Sequence, residues 1–508
     1  MKLRLRRWVS NNPETLPATL IAVCFVYFFT RHSGIGISPD SVMYASAAGH
    51  LRTDFSFTDF NGMPLVDFPA GYPSWLALFS MIFPGSLLSM ANWLNGALFV
   101  GVLLLTQLIW KEQNKTTGII SSLFLLLLAC SPCLIEVYTM LWSETVFLFL
   151  ILLFLVNLKY YLENPTTRNL GLLALVTALA CITRYAGISL VATGCLLILC
   201  HGEIPVVKKI KHLFLFGLGS SSLVFSNLLR NALLEGNFTG VREKSLRPLL
   251  SNLQEAGAVI SNWFPFFTGH EYLAAGFFAM ILTGGFCLLG YHMIQQQYYT
   301  RYETVFTAFF VVYGLFILVI ASISRFEDLS SRLLSPIYIP MCLMIGTRLY
   351  VWYQKGSGMR KRIRLAGIFL LYGICMYGYY QQNAAAWEGI RDAGIPGYAE
   401  DSWTKSPLIA YIREHKDSLP MPVYANANDA VYFLTGIPAL PLPHKEIKKE
   451  INRFLQTPSF YLAWFTDGEN PDLVSLDFIR KYKKQVSMIN REGGSLYFFS
   501  NPVPARLP

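Results

Sequence analysis

The sequence predicts a polytopic α-helical membrane protein of about eleven spans with a small C-terminal α/β domain, on three observations. First, 53% of its 508 residues are hydrophobic and only 14% are charged, whereas soluble domains carry roughly 25% charged residues. Second, apolar stretches near 20 residues long, enough to cross a hydrocarbon core as a helix, recur between residues 16 and 381. Third, the composition turns polar and richer in Pro and Gly after Tyr380, where helix-like and strand-like stretches alternate.

This balance excludes intrinsic disorder, a coiled coil, a collagen-like fibre and a disulfide-framework mini-protein. The 41 Lys+Arg against 31 Asp+Glu, net +10, fall in short clusters between apolar runs and not in one basic stripe with interleaved aromatics. They read as membrane topology, and no nucleic-acid partner is expected. The nine cysteines all lie in or at the ends of apolar runs and read as small hydrophobes.

The predicted spans lie near 16–30, 87–110, 118–131, 142–160, 168–182, 185–200, 212–230, 272–294, 303–323, 333–352 and 363–381, the first and third being short. Met1-Lys-Leu-Arg-Leu-Arg-Arg7 precedes the first without a small-x-small cleavage site, which reads as an uncleaved signal anchor. The positive-inside rule then puts the N-terminus in the cytoplasm, and alternation places the clusters around Lys111, Lys159, Lys208 and Lys361 there too. Segments 31–86, 132–141, 231–271, 324–332 and everything after 381 fall on the opposite side. The expected organisation is a transmembrane domain over 1–381, with an outer first loop at 31–86, and an extracytoplasmic α/β domain over 382–508. Within the latter, 402–417 and 444–456 read as helices, and 421–425, 459–466 and 495–500 as strands.

Charges beside outward span ends are candidates for function, because at depth each costs roughly 2.5–3.5 kcal/mol on insertion scales. Ser38-Pro39-Asp40-Ser41-Val-Met-Tyr44 follows the first span, and Pro39 suits a helix start. Tyr44, Ala47, Ala48 and Leu51 share one face of a helix along the membrane surface, with Asp40 in its first turn. Asp40 is then either a cap or a catalytic acid. Asp67-Phe-Pro69-Ala-Gly71-Tyr72-Pro73 is a fixed turn that ends the same loop, either a simple entry to the membrane or part of a site. Glu144 opens the fourth span, paired with a cation or presented to a polar substrate. Arg184, at the turn between the fifth and sixth spans, suits phosphate or snorkels to lipid headgroups. Arg230, Arg242 and Arg332 could join it around one dianionic group, while Asp328 and Arg332 form an i,i+4 pair if that stretch is helical. No P-loop, H-E-x-x-H, G-x-S-x-G or dinucleotide motif occurs.

Taken together, Pro39-Asp40-Ser41 with Tyr44, Phe68-Pro-Ala-Gly-Tyr-Pro73, Ser143-Glu144, Thr183-Arg184-Tyr185, Arg230-Asn231, Gly240-Val-Arg242 and 328–336 resemble the polytopic GT-C glycosyltransferases. The resemblance is to the protein mannosyltransferase and aminoarabinose-transferase-like group, glycosyltransferase family 39-like, over most of 16–340. It implies an enzyme of the inner (plasma) membrane that moves a sugar from a polyprenyl-phosphate donor to a lipid, glycan or protein acceptor, with inversion, at the extracytoplasmic face. Asp40 would be the base, Arg184, Arg230, Arg242 and Arg332 candidates for the phosphate clamp, and Tyr44, Asp67, Tyr72 and Glu144 would orient sugar or acceptor, with Asp328 in the same binding set. Ser41 stands where paired-acid members carry a second carboxylate, so neither a metal nor another cofactor is expected. A lipid-linked-sugar flippase, or an O-antigen ligase or polymerase, is the alternative for such a chain.

Overall fold

The computed structural model describes residues 13–83, 85–240, 244–245, 247–324, 328–466 and 470–501. Each of the eleven predicted stretches coincides with a helix. Among the described residues, seven helices are long and apolar enough to cross a membrane: Leu87–Asn114, Glu144–Glu163, Val206–Glu235, Glu271–Ile294, Tyr302–Ile323, Ser331–Gln354 and Gly358–Ala393. Ile119–Ala129 and Pro132–Thr139, bent by 55°, together make an eighth candidate. Pro13–Phe29, Thr167–Thr183 and Tyr185–Leu199 are apolar but shorter. The chain is thus a multi-pass membrane protein whose short apolar helices leave the number of full crossings below the expected eleven by the length criterion alone.

Contacts divide the chain into two compact units. The first, through 29 and again from 66 to 388, is the helical membrane unit. Glu144–Glu163 is its most enclosed long helix, with 72% of its apolar window buried. It packs against Thr167–Thr183 and Leu87–Asn114, and Thr167–Thr183 packs in turn on Val206–Glu235. Gly101 permits one close approach, since a Cβ there would overlap the Phe149 ring. Pro336 and Pro340 lie inside Ser331–Gln354, as membrane helices tolerate when neighbours surround them.

The second unit joins Thr30–Leu65 to Gly389–Pro508, so the first outer loop up to Leu65 folds with the C-terminal domain. Its core is a five-stranded sheet in the order β2-β1-β3-β5-β4, with β1 Val423–Ala425, β2 Leu440–Pro441, β3 Ser459–Phe465, β4 Lys484–Arg491 and β5 Gly494–Ser500. β1 runs parallel to β2 and β3, whereas β3, β5 and β4 are antiparallel. Side chains alternate across it as the pleat requires. Val423, Ala425, Ala463 and Leu496 meet Leu408, Ile409 and Ile412 on one face, while Tyr424, Phe460, Leu462 and Phe499 meet Phe454 and Ile479 on the other. The strands at 421–425, 459–466 and 495–500 and the helix at 444–456 are present within a few residues, but 402–417 is broken into Asp401–Thr404, Pro407–Glu414 and a short 3-10 turn. Pro407 explains the break, because it cannot donate the amide that would continue the preceding turn.

The loop helix runs from Pro39 to Thr53, with Ser38 extended before it and Pro39 in the first turn. The Ser38 amide donates to Ser41 Oγ at 3.0 Å. Several ties hold this loop to the C-terminal part of the same unit, His32 Nε2 to Asp401 Oδ2 at 3.3 Å among them. Ile395 N donates to Ser33 Oγ at 3.0 Å, Tyr398 N donates to the Ile37 carbonyl at 2.8 Å, and the Phe60 and Tyr432 rings stack at 4.5 Å.

Candidate functional site

In the membrane unit, Ser143 and Glu144 open the Glu144–Glu163 helix, where a carboxylate complements the positive end of the helix dipole. The Glu144 side chain is buried and two guanidiniums converge on its Oε1. Arg184 Nη1 and Arg332 Nε each lie 2.6 Å from that oxygen. Arg184 Nη1 also donates to Ser143 Oγ at 2.8 Å, and Ser143 Oγ donates to Glu144 Oε2 at 3.3 Å. The Arg332 guanidinium sits 4.7 Å from the centre of the Trp142 ring, a cation–π contact that gains strength where water is excluded. Two arginines sharing one carboxylate give the trio an excess of positive charge.

Beside it, Tyr185 anchors a second polar group. Its hydroxyl donates to the Val66 carbonyl at 3.2 Å and accepts from the side-chain amides of Asn227 and Asn231, each at 3.3 Å. Asn231 also donates to the carbonyls of Val66 and Phe238, and Asn227 accepts from the Ala70 amide at 3.2 Å. These bonds pin the 66–70 turn to the end of Val206–Glu235. Arg230 joins through Nη1, which donates to Asn231 Oδ1 at 3.0 Å. Gly71 completes the docking, because a Cβ there would overlap the backbone of Ile182 and Thr183, immediately before Arg184. Tyr72 follows and is buried in Gly71–Ile82. Asp67 is exposed and stands against Gly240, whose φ of +76° and lack of a Cβ let the carboxylate approach.

The structure therefore brings Glu144, Arg184 and Arg332 together and sets Arg230 on the neighbouring Asn231–Tyr185 network. Arg242 lies outside the described residues. Asp328 is placed elsewhere: it precedes the Ser331–Gln354 helix and meets Arg247 Nη1 at 2.8 Å, not Arg332. Arg247 also pairs with Glu255, whose other oxygen accepts from the Leu329 amide at 3.0 Å.

Asp40 and Tyr44 belong to the other unit. Asp40 is half-buried in the first turn of Pro39–Thr53, and Tyr44, one turn on, is buried. Ser38 occupies the N-cap position, two residues before Asp40. Three participants were not singled out from sequence. Glu136 feels the charges of both Arg332 and Glu144, and its signal was available as a lone acid in Cys-Leu-Ile-Glu-Val. Trp142 gave no pattern in the chain, since its partner Arg332 is far away in sequence, and Arg247 and Glu255, eight residues apart, fall on no single-helix spacing.

No protein-family model and no curated protein matches the sequence. Solved structures do match in fold. ArnT from Cupriavidus metallidurans in the apo state aligns with a TM-score of 0.59 at 10% identity, covering 95% of this chain and 97% of that one. The same protein bound to undecaprenyl phosphate aligns with a TM-score of 0.59 at 11% identity, over 97% and 99% of the two chains. The apo oligosaccharyltransferase of Archaeoglobus fulgidus gives 0.56 at 9% identity, over 97% of this chain and 75% of that one. All are GT-C fold glycosyltransferases, and this chain has the GT-C fold.

Proposed function

We propose that the protein is an integral membrane glycosyltransferase that moves a sugar from a polyprenyl-phosphate donor to an acceptor at the extracytoplasmic face. The buried Arg184–Glu144–Arg332 cluster in a chain of this fold carries the reading. Such a cluster is costly in an apolar setting, and guanidiniums give bidentate donors suited to phosphate oxygens. The names of two similar structures include polyprenyl phosphates, undecaprenyl phosphate for ArnT and dolichol-phosphate for the archaeal AglB.

In this reading Asp40 takes the proton from the acceptor hydroxyl or amine as that atom attacks the anomeric carbon. The bond from this carbon to the phosphate oxygen breaks with inversion, and the polyprenyl phosphate leaves with one more negative charge on its phosphate. Arginines favour this step because the leaving group gains charge as the bond breaks. Arg184, Arg230 and Arg332 are assigned to that task, with Arg242 a fourth candidate from the sequence. Glu144 holds two of them in fixed orientation, while Tyr44, Asp67 and Tyr72 orient sugar or acceptor. The N-terminus is assigned to the cytoplasm, and the C-terminal domain to the far side of the inner membrane.

The test is consumption of radiolabelled undecaprenyl-phosphate-linked sugars by purified protein in the presence of a membrane extract as acceptor source. A transferase depletes the donor and labels the acceptor. A flippase moves the donor across vesicles without consuming it, and that result would overturn the proposal.

A further inference from the structure

Of the long apolar helices among the described residues, Gly358–Ala393 is the least enclosed, with 17% of its apolar window buried. Its far end is tied down. The Tyr379 hydroxyl donates to the Trp263 carbonyl at 2.9 Å and lies 2.8 Å from the Tyr338 hydroxyl, and Gly378 meets Pro265 so closely that a Cβ would overlap the ring. Towards Gly358 the helix stands off from Ser331–Gln354 and leaves a cavity of about 220 Å³, with residues from Leu365 to Cys375 on one side and from Cys342 to Tyr353 on the other. A second groove, of about 590 Å³, opens between Ser331–Gln354 and Glu271–Ile294. The two share Phe277, Ile345 and Leu349 as a common wall.

Both grooves are lined almost wholly by apolar and aromatic side chains, so water finds few partners there. Cations gather at one end. Arg348 lines the second groove and is half-exposed beside its pair with Glu303. The Arg364 guanidinium lies 4.9 Å from the centre of the Trp352 ring, a wall of the second groove, and donates to the Trp352 carbonyl at 2.6 Å. Lys361 Nζ lies 4.8 Å from the centre of the Tyr353 ring, a wall of the first. No Asp or Glu occurs in the sequence between Asp328 and Glu388. The positive-inside rule accounts for cations in this turn, but not for their resting on the rims of paired apolar grooves.

We propose that the grooves hold one anionic diacyl phospholipid, its two acyl chains in the two grooves and its phosphate among Arg348, Lys361 and Arg364. Length selects this occupant. From Cys342 to Tyr353 the wall runs about 17 Å at a rise of about 1.5 Å per residue, close to half of a hydrocarbon core about 30 Å thick. That is the depth of one leaflet, which an acyl chain fills, whereas a polyprenyl chain overruns it and brings no second tail. Charge selects the headgroup, since each Lys or Arg at the membrane surface attracts an anionic lipid. In the topology proposed above, the leaflet is the cytoplasmic one. Bound there, the lipid braces Gly358–Ala393 against Ser331–Gln354, the helix that carries Arg332.

The test uses the purified full chain, stripped of lipid in detergent, and reads bound lipid by native mass spectrometry. It needs no sugar transfer, so its outcome is separate from that of the glycosyltransferase reading. The probes are dioleoyl phosphatidylglycerol, dioleoyl phosphatidylcholine and undecaprenyl phosphate. Wild type is expected to bind a single phosphatidylglycerol about tenfold or more tighter than phosphatidylcholine. Lys361→Gln/Arg364→Gln is expected to weaken phosphatidylglycerol about tenfold and to leave phosphatidylcholine within about twofold. Gly284→Leu, which fills open space in the second groove, is expected to weaken both lipids about tenfold. Gly276→Leu, exposed on the same helix and away from the grooves, is expected to weaken neither. The unfolding temperature of each variant in lipid-free detergent separates lost binding from lost folding, and if Gly284→Leu does not fold, the charge variant decides. Equal affinity of wild type for the two phospholipids would overturn the inference, as would unchanged phosphatidylglycerol binding in a folded variant of either kind. Displacement of phosphatidylglycerol by equimolar undecaprenyl phosphate would overturn it too, by giving the grooves to a polyprenyl chain.

Discussion

Arg332 Nε donates to Glu144 Oε1 across 2.6 Å, although 188 positions separate the two residues. Arg184 meets the same oxygen. Removing one member of a buried ion pair strands the others without a partner, which typically costs about 3–5 kcal/mol. Glu144→Leu is therefore expected to lower the unfolding temperature of the detergent-purified protein well beyond Asp328→Ala, whose partner Arg247 is exposed. Tryptophan fluorescence during heating measures both. Equal effects would mean that the trio is not the buried hub described above.

Gly71 is tested by a single methyl group. A Cβ there would overlap the Ile182 carbonyl, so Gly71→Ala must displace the backbone just before Arg184. Overpacking of this kind costs about 1–3 kcal/mol. Reduced stability together with weaker donor binding is expected, whereas Gly276→Ala, at another helical glycine with open space around its Cβ position, serves as the control and should leave both unchanged.

The pH dependence of stability tests the environment of Asp429. Its carboxyl is raised in the folded protein, first by burial. The folded state therefore holds the proton more tightly than the unfolded chain does. The resulting contribution to stability is fully present below the ordinary carboxylate value and is lost as pH rises through the raised folded value. Asp429→Asn should unfold at a higher temperature than wild type near pH 7, and the difference should shrink as the pH falls below about 4. A constant difference across this range would contradict the assigned environment.

Phe60→Ala removes the ring stacked on Tyr432. Loss of a buried Phe costs about 3–5 kcal/mol, here concentrated in the attachment of the outer loop. Amide exchange in 30–65 is expected to accelerate while exchange in Glu144–Glu163 stays slow. Uniform acceleration would show that the two units unfold together.

Much of this was legible in the chain. The eleven apolar stretches all became helices because apolar runs of this length have few other stable states, and Pro39 marked the start of the loop helix. What the sequence could not show is distance in space. Asp328 and Arg332 are four apart and suggested a helical pair, but the helix starts only at Ser331, so Asp328 turns to Arg247 and Arg332 to Glu144. In the C-terminal domain the helix Asn428–Thr435 was missed because its eight residues contain four β-formers, Val431, Tyr432, Phe433 and Thr435, and the packing that makes them helical comes from the sheet and loop around them. Asp429 was invisible for the same reason, since the Tyr398 hydroxyl that donates to its Oδ1 is brought to it only by the fold.

The central claim is that Asp40 is the base of a lipid-linked sugar transfer. It is tested most directly by following label from undecaprenyl-phosphate-linked sugars into acceptor with wild type and Asp40→Asn, alongside donor binding and thermal stability of both. Loss of general-base catalysis should lower turnover by about 10²–10⁴-fold, with donor binding and stability retained. Transfer by Asp40→Asn at the wild-type rate would contradict the account.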